Sequence, residues 1–332
     1  MKIGAVLTVK NEAQLLRSNI LYHRHVGVSE FYVFLDGTTD NTAEAIEDLG
    51  VSVRSSVQSG DLDDLIRNDR MLKSIISQLG SHVCARIMFN AYWAAGQARA
   101  GGCDWLLFLD ADELFAPIHE QETAGSLSAS LSEVGDETEM VIFRTVEALQ
   151  RPYTQEAVFA SETIFKNIFA HPGREKLLER RVWDPFQKKI RFVTGYIGHK
   201  EGKSAVRLRE QVYPETAHRF RGAEGRRLKR EFRPFLMHYN TYSFEDFVKK
   251  YKNHRDLPNQ WMGGQPTDFV PYQMWRDLVN SDQFTDSDLK EYYEKWVAFS
   301  QEETDRLLAA DPSPLARIEF VREAMKSISE SG

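Results

Sequence analysis

The stretch Trp105–Phe115, WLLFLDADELF, decides how the rest of the chain is interpreted. Its first five residues, Trp105–Leu109, are apolar and lack helical spacing, a pattern typical of a strand that is buried on both faces. Carboxylates follow immediately, at Asp110, Asp112 and Glu113. Ligands of open parallel sheets bind at the carboxyl ends of the strands. The stretch therefore predicts a central strand that ends in a polar site.

Asp110 and Asp112 stand two residues apart, so both carboxylates can point into one crevice as the strand gives way to a turn. Hard oxygen ligands at that spacing suit Mg²⁺ or Mn²⁺, ions that keep open positions for substrate phosphates. The alternative is a solvated strand end or a helix cap. A DxD pattern alone is too short to choose between the two interpretations.

Composition limits the protein class. The chain has 332 residues, 42% of them hydrophobic, and a net charge of −7. Such a chain can form one large α/β domain with an appendage, or two domains. The acidic balance argues against nucleic acid as a partner, and no apolar run approaches the roughly 20 residues of a membrane helix. Ile3–Val9 is too short for a signal-peptide core, and Cys84 and Cys103 form no CxxC pair, so we expect a cytoplasmic protein.

The first sixty residues alternate strand-like and helix-like segments. Strands are predicted at Ile3–Val9, Glu30–Leu35 and Val51–Arg54, and helices between them at Ala13–Val26 and Ala43–Leu49. This order is typical of a doubly wound α/β sheet. Asp36 then follows a strand end, as Asp110 does.

The last part of the chain carries helical patterns. Ser243 is expected to begin one helix, and amphipathic helices are expected over about 287–309 and 315–329. We therefore divide the chain into a sheet domain, residues 1–240, and a helical C-terminal appendage, residues 241–332. The basic run Arg219–Arg233 is interpreted either as a solvated face or as a loop that closes over a donor diphosphate or meets an anionic acceptor or membrane surface.

Several segments together resemble glycosyltransferases of the family 2 type, which have the GT-A fold. The segments are LTVKNEAQLL (7–16), FYVFLDGTTDNT (31–42) and WLLFLDADELF (105–115). GKSAVRL (202–208), TAHRF (216–220) and HYNTYSFEDFVKKY (238–251) are similar to the family 92-like branch. The resemblance covers roughly residues 1–255. It implies a mixed, mainly parallel sheet flanked by helices, with a C-terminal helical appendage.

The resemblance also implies a nucleotide-sugar donor, most often a UDP-sugar, and an acceptor hydroxyl on a glycan or glycolipid. For such an acceptor, a position at the cytoplasmic face of the membrane is an option within the expected cytoplasmic localisation. Residues implied to bind the donor are Val9, Asn11, Glu12, Asp36, Arg86, Asn90, Asp110, Ala111 and Lys203.

The implied cofactor is Mn²⁺ or Mg²⁺, bound by Asp110 and Asp112. The family pattern places a histidine at both His218 and His238, and either can complete the shell. Our expectation favours His218, because it follows the GKSAVRL segment closely. His238 is then expected to orient the helix that Ser243 begins.

The catalytic base is not decided by the sequence. An inverting transferase needs a carboxylate near the acceptor hydroxyl, and the resemblance implies inversion. Glu147 and Asp184 are the candidates, whereas Asp246, in the Glu245-Asp246 pair, is interpreted as a capping residue.

Three rival functions remain at this stage. A haloacid-dehalogenase-type phosphohydrolase also has DxD after a strand, but it expects Thr or Val where Leu114 stands. A sugar nucleotidyltransferase expects a glycine-rich loop after the first strand, and Thr8–Asn11 contains no glycine. The third is a non-catalytic sugar-nucleotide-binding or glycan-binding module. The carboxylates at the ends of two strands argue against it.

Overall fold

A computed structural model of the chain describes residues 1–57, 62–115, 125–153, 157–169, 174–198, 200–260, 262, 264 and 270–331. The strands are β1 Ile3–Val9, β2 Glu30–Leu35, β3 Ser52–Ser55, β4 Trp105–Leu109, β5 Glu113–Phe115, β6 Met140–Ala148, β7 Ile164–Lys166, β8 Glu179–Asp184, β9 Lys189–Thr194, β10 Lys203–Arg207, β11 Tyr213–Thr216, β12 Arg219–Arg221, β13 Arg230–His238 and β14 Leu315–Arg317. The helices are α1 Leu16–His25, α2 Asp64–Arg67, α3 Lys73–Ile76, α4 Val83–Ala100, α5 Ser126–Ser132, α6 Val158–Ser161, α7 Phe244–Asn253, α8 Val270–Val279, α9 Asp286–Trp296, α10 Gln301–Ala310 and α11 Phe320–Ser331.

One mixed sheet organises the molecule. Its strand order is β14-β7-β6-β10-β4-β1-β2-β3, and β13 pairs with both β6 and β5. Strands β4, β1, β2 and β3 are parallel neighbours. The predicted α/β architecture with helices on a central sheet is thereby confirmed.

Strand directions bring distant residues to one edge of the sheet. β10 runs antiparallel to both β4 and β6, so β4 and β6 point the same way, and β13 is parallel to β6. The carboxyl ends of β1, β2, β4, β6 and β13 therefore share an edge, where the antiparallel β10 begins. This edge, which we call the carboxyl edge, places Val9, Leu35, Leu109, Lys203 and His238 on the same side.

The central strand β4 is buried on both faces, as its apolar run predicts. Trp105, Leu107 and Leu109 belong to a core that also holds residues of α1 and α11. Leu106 and Phe108 belong to a second core with the alanines of α4. The alternation of side chains along a strand explains this division. The sheet is thus covered on both sides.

The C-terminal helices differ from expectation. The helix expected over 287–309 is two helices, α9 and α10, because Ser300 caps a new start with Glu303 in a capping box. The helix expected over 315–329 begins instead with strand β14, which pairs with β7 in the main sheet. The domain boundary expected near residue 240 stays a prediction. Within the expected C-terminal appendage, β14 is part of the main sheet. In the described ranges, every helix is too short or too polar to cross a membrane.

His23 of α1 provides a test of the fold. Its ring is fully buried between the Asn19 carbonyl oxygen, 2.9 Å from Nδ1, and the Phe115 N–H, 3.2 Å from Nε2. These contacts suit a neutral ring, and burial lowers the pKa of His23 to about 4 from 6.5.

The pKa of His23 predicts a loss of stability in acid. Between pH 6.5 and 4 the unfolded chain binds a proton that the folded chain does not, so stability falls as the pH falls. The contribution is about 2 kcal/mol between pH 7 and pH 5. Denaturant unfolding at both pH values measures it, and His23→Gln is the control, since it cannot be protonated. An identical pH dependence in the two proteins would contradict the assignment.

Candidate active site

Asp36, directly after β2, forms a two-point ion pair with Arg86 of α4. Arg86 Nε lies 2.6 Å from Oδ1, and Nη2 lies 2.8 Å from Oδ2. Asp36 is buried, and Arg86 is anchored further by the Leu79 carbonyl oxygen, 3.1 Å from Nη1. Each carboxylate oxygen keeps a lone pair for a further donor. The two predicted donor-binding residues therefore meet at the carboxyl edge.

Residues at the end of β1 hold the neighbouring loops. The Val9 carbonyl oxygen accepts the Asp36 N–H at 2.8 Å. Asn11 has a φ of +58°, a left-handed conformation that asparagine tolerates better than most residues. Its Oδ1 accepts the Thr39 N–H at 2.8 Å, and its Nδ2 donates to Asn253 Oδ1 at 3.1 Å. Asn11 thus connects the loop after β2 to α7.

Asn90 and Ala111 support the site from beneath. Asn90 is fully buried and donates to Thr8 Oγ1 and Ser56 Oγ, at 3.1 and 2.9 Å. The Ala111 carbonyl oxygen accepts from Asn19 Nδ2 at 3.0 Å, which fixes the DxD turn. The contacts described for both residues are with the protein, and their function in donor binding stays a prediction.

Asp110 pairs with Lys203, the first residue of β10. The Lys203 Nζ lies 2.8 Å from Asp110 Oδ2 and 3.6 Å from Glu113 Oε2. Glu113 Oε2 also accepts the Asp110 N–H at 2.9 Å, so this buried carboxylate closes the turn. A single buried lysine thus balances two carboxylates beside the site.

Asp112 faces the end of β13 and helix α7. Its Oδ2 lies 3.2 Å from His238 Nε2 and 3.5 Å from Lys250 Nζ. Its carbonyl oxygen accepts the Tyr239 N–H at 2.8 Å. Burial alone would raise the pKa of Asp112, but His238 and Lys250 hold it well below its usual range. Asp112 is therefore ionised at neutral pH.

Glu12 lies beside the same group of charges. Lys249 Nζ is 2.9 Å from Glu12 Oε2 and 3.0 Å from Asp246 Oδ1. Burial raises the pKa of Glu12 to about 8, and Lys249 acts in the opposite direction. The expected cap at Ser243 is present, since its side chain accepts the Asp246 N–H at 3.2 Å. Ser243 is therefore the cap of α7, and Asp246, interpreted from the sequence as a capping residue, lies in the first turn with its carboxylate paired to Lys249.

The two histidines stand in different surroundings. His218 lies in the turn between β11 and β12, where its N–H donates to Thr216 Oγ1 and its carbonyl oxygen accepts from Ser204 Oγ, at 3.1 and 2.8 Å. His238, in contrast, contacts Asp112. The contact with Asp112 favours His238 as a metal ligand, and the choice between the two histidines stays a prediction.

The Asp112 and His238 pair fits a divalent ion. Ligand distances of about 2.1 Å place two adjacent ligand atoms of an octahedral ion about 3.0 Å apart. The distance between His238 Nε2 and Asp112 Oδ2 is 3.2 Å. Among the described residues, no group of three or more His, Cys, Asp or Glu side chains is arranged to hold a metal. The remaining positions would belong to water and to a ligand such as a diphosphate.

Both base candidates are held by protein contacts. Glu147 is fully buried and ion-paired with Lys166, and it accepts the Ile197 and Gly198 N–H groups. Asp184 pairs with Arg191 at 2.6 Å and accepts two N–H groups of the turn between β8 and β9. These contacts give each carboxylate a structural function, and the identity of the base stays a prediction.

Most of the basic run lies away from the carboxyl edge. Arg226 pairs with Glu139, which precedes β6, and Arg230 is in register with Met140, the first residue of β6. Because β6 and β13 are parallel, these residues lie at the opposite edge from His238. The hypothesis that this part of the run closes over a diphosphate is therefore wrong for Arg226–Arg230.

Three cationic or acidic residues of the site were missed in the sequence, namely Glu113, Lys249 and Lys250. The sequence signal was present for Glu113, which directly follows the DxD. For the lysines it was weak, because adjacent lysines in an amphipathic helix are usually solvated. Their function follows only from the position of α7 above the carboxyl edge.

No family model matches the chain. Two relatives from Arabidopsis thaliana carry the name glycosyltransferase-like. The first is 27% identical over 240 residues, which cover 70% of this chain and 52% of the relative. The second is 26% identical over 243 residues, which cover 70% and 45%. The chain thus spans about half the length of the curated relatives it matches.

Among solved structures, Staphylococcus aureus TarS 1–349 aligns with 94% of this chain and 73% of its own. The identity is 13% and the TM-score is 0.35, a likeness that does not bear on function. The chain is therefore similar in sequence to proteins named glycosyltransferase-like, and the assignment to a family 92-like branch stays a prediction.

Proposed function

We propose that the protein is a glycosyltransferase that moves a sugar from a nucleotide-sugar donor, a UDP-sugar, to the hydroxyl of a glycan or glycolipid acceptor. The observation that carries the proposal is the convergence of the Asp36–Arg86 pair and the Asp112–His238 pair at the carboxyl edge. The names of the two plant relatives support the same class. If the acceptor is a glycolipid, the protein would reach it from the surface of the membrane.

The charges at the carboxyl edge suit the two halves of such a donor. The Asp36 carboxylate can accept hydrogen bonds from ribose hydroxyls or from the uracil N–H, while Arg86 holds it in place. Lys203 and Lys250 provide ammonium groups beside the carboxylates of the DxD turn, and these groups would attract a diphosphate. The nucleoside is therefore assigned to the β2 end of the site, and the diphosphate to the β4 end.

Asp112 and His238 would hold Mn²⁺ or Mg²⁺. The ion would stabilise negative charge on the departing diphosphate. A nitrogen ligand matches Mn²⁺ better than Mg²⁺, so manganese is the expected preference. Inversion of the anomeric centre is part of the proposal, and it requires a carboxylate near the acceptor hydroxyl.

The ion pair of Asp36 with Arg86 allows a test of whether the protein binds UDP at this position. A ligand at about 100 times its Kd stabilises the native state by about 2.7 kcal/mol. UDP with Mn²⁺ is therefore expected to raise the Tm of the wild-type protein, and Asp36→Ala is expected to abolish the rise. Arg86 is partly exposed, so the variant is expected to fold. Thermal unfolding with and without UDP measures both values.

Asp48→Ala is the matched control, because Asp48 forms a two-point pair with Arg17 at an exposed position. Its UDP response is expected to equal that of the wild type. An Asp36→Ala protein with an unchanged UDP response would remove Asp36 from the site. Sugar transfer from UDP-sugars, followed by product analysis, then tests the reaction; phosphate release from an aryl phosphate without transfer would support the phosphohydrolase instead.

A further inference from the structure

One carboxylate oxygen of the site has two neighbours. Asp112 Oδ2 lies 3.2 Å from His238 Nε2 and 3.5 Å from Lys250 Nζ. Lys250 also donates to Asn240 Oδ1, so its ammonium group is held by the turn that follows β13 as well as by Asp112. The lysine therefore occupies space beside the atoms that would hold a divalent ion.

An ion on Asp112 Oδ2 and the Lys250 ammonium group would repel each other. At such short range the repulsion between two cations is strong, and little solvent is present to screen it. Lysine has a flexible four-carbon stem, and the Lys250 side chain is 24% exposed, so it has room to leave. A diphosphate bound by the divalent ion would then be the nearest anion with which the displaced Lys250 could pair.

We propose that Lys250 changes partners during donor binding: it neutralises Asp112 in the free protein, and it binds the donor's diphosphate once a divalent ion occupies Asp112. This inference rests on the proposed function, because it takes a nucleoside diphosphate and an ion as ligands. The exchange couples the two ligands. The ion releases the lysine, and the diphosphate provides the released lysine with a new partner.

The exchange predicts two effects of opposite sign in Lys250→Met. Without nucleotide, the affinity for Mn²⁺ is expected to rise about tenfold, since no ammonium group competes for Asp112. In saturating Mn²⁺, the affinity for UDP is expected to fall about tenfold, since the diphosphate loses a cation. Isothermal titration calorimetry measures the affinity for UDP. Electron paramagnetic resonance of free Mn²⁺ measures the affinity for the metal. Neither measurement depends on turnover.

Lys252→Met is the matched control, because Lys252 is an exposed lysine on the same helix. Both affinities are expected to stay within about twofold of the wild type. Lys250→Gln serves if the methionine variant does not fold, since glutamine can still donate to Asn240. Unchanged or weaker Mn²⁺ binding, or unchanged UDP binding, overturns the exchange alone. A wild-type protein that binds neither Mn²⁺ nor UDP overturns the proposed function and this inference with it.

Discussion

Asp112→Asn is expected to lower kcat/KM for sugar transfer by about a thousandfold. The carboxylate lies 3.2 Å from His238 Nε2, and an asparagine in its place removes the charge that would attract the metal. A metal that stabilises the leaving group contributes several kcal/mol to the transition state, which corresponds to this loss. Initial rates at saturating Mn²⁺ and at UDP-sugar concentrations below KM measure the effect. The Tm is expected to change little, since Lys250 can reach solvent.

Two comparisons separate the metal site from general effects of charge. Asp136→Asn removes a carboxylate that is 91% exposed, and its kcat/KM is expected to equal that of the wild type. His238→Ala is expected to weaken Mn²⁺ binding in the presence of UDP, whereas His218→Ala is not, because His238 Nε2 lies 3.2 Å from Asp112 Oδ2. An Asp112→Asn enzyme with more than about a tenth of wild-type activity would exclude this metal site.

The parts of the fold that follow from local patterns were predictable. β1 and β2 have the predicted bounds, and β4 covers the apolar part of Trp105–Phe115. Each is a short apolar run that turns polar at its carboxyl end, and both features are local. Asp36 and Asp112 followed from the same rule, since parallel strands end at one edge.

Strand β13 was not predictable from its sequence. Its residues Arg230–His238 contain three charged side chains, a histidine and Pro234, a composition that favours a solvated loop. The strand forms because it pairs with β6, about 90 residues earlier, and its register shifts between Pro234 and Leu236. This pairing places His238 beside Asp112, so the contact that favours His238 as the proposed ligand is one that no local pattern contains.

The pair of Glu147 and Lys166 is expected to produce the largest change in stability. Both side chains have no exposed surface, and Glu147 is in register with Lys166 across β6 and β7. Lys166 Nζ also donates to Gln150 Oε1 and to the Gly195 carbonyl oxygen, both at 2.7 Å. Burial would raise the pKa of Glu147, but Lys166 and His238 hold it below its usual value. The carboxylate is therefore charged in the folded protein.

Glu147→Gln is expected to lower the free energy of unfolding by about 3–5 kcal/mol, because it leaves the Lys166 ammonium group buried without a counter-charge. Glu147→Gln with Lys166→Met is expected to regain most of the loss, since neither charge is then buried. Urea unfolding at pH 7 measures both, and Glu30→Gln, which breaks an exposed pair with Lys2, is expected to show no measurable change. A stable Glu147→Gln protein would contradict the assigned structural function.

The stabilised double variant also tests whether Glu147 is the catalytic base. If this variant retains transfer activity, Glu147 is structural, and if it folds but is inactive, Glu147 acts in catalysis.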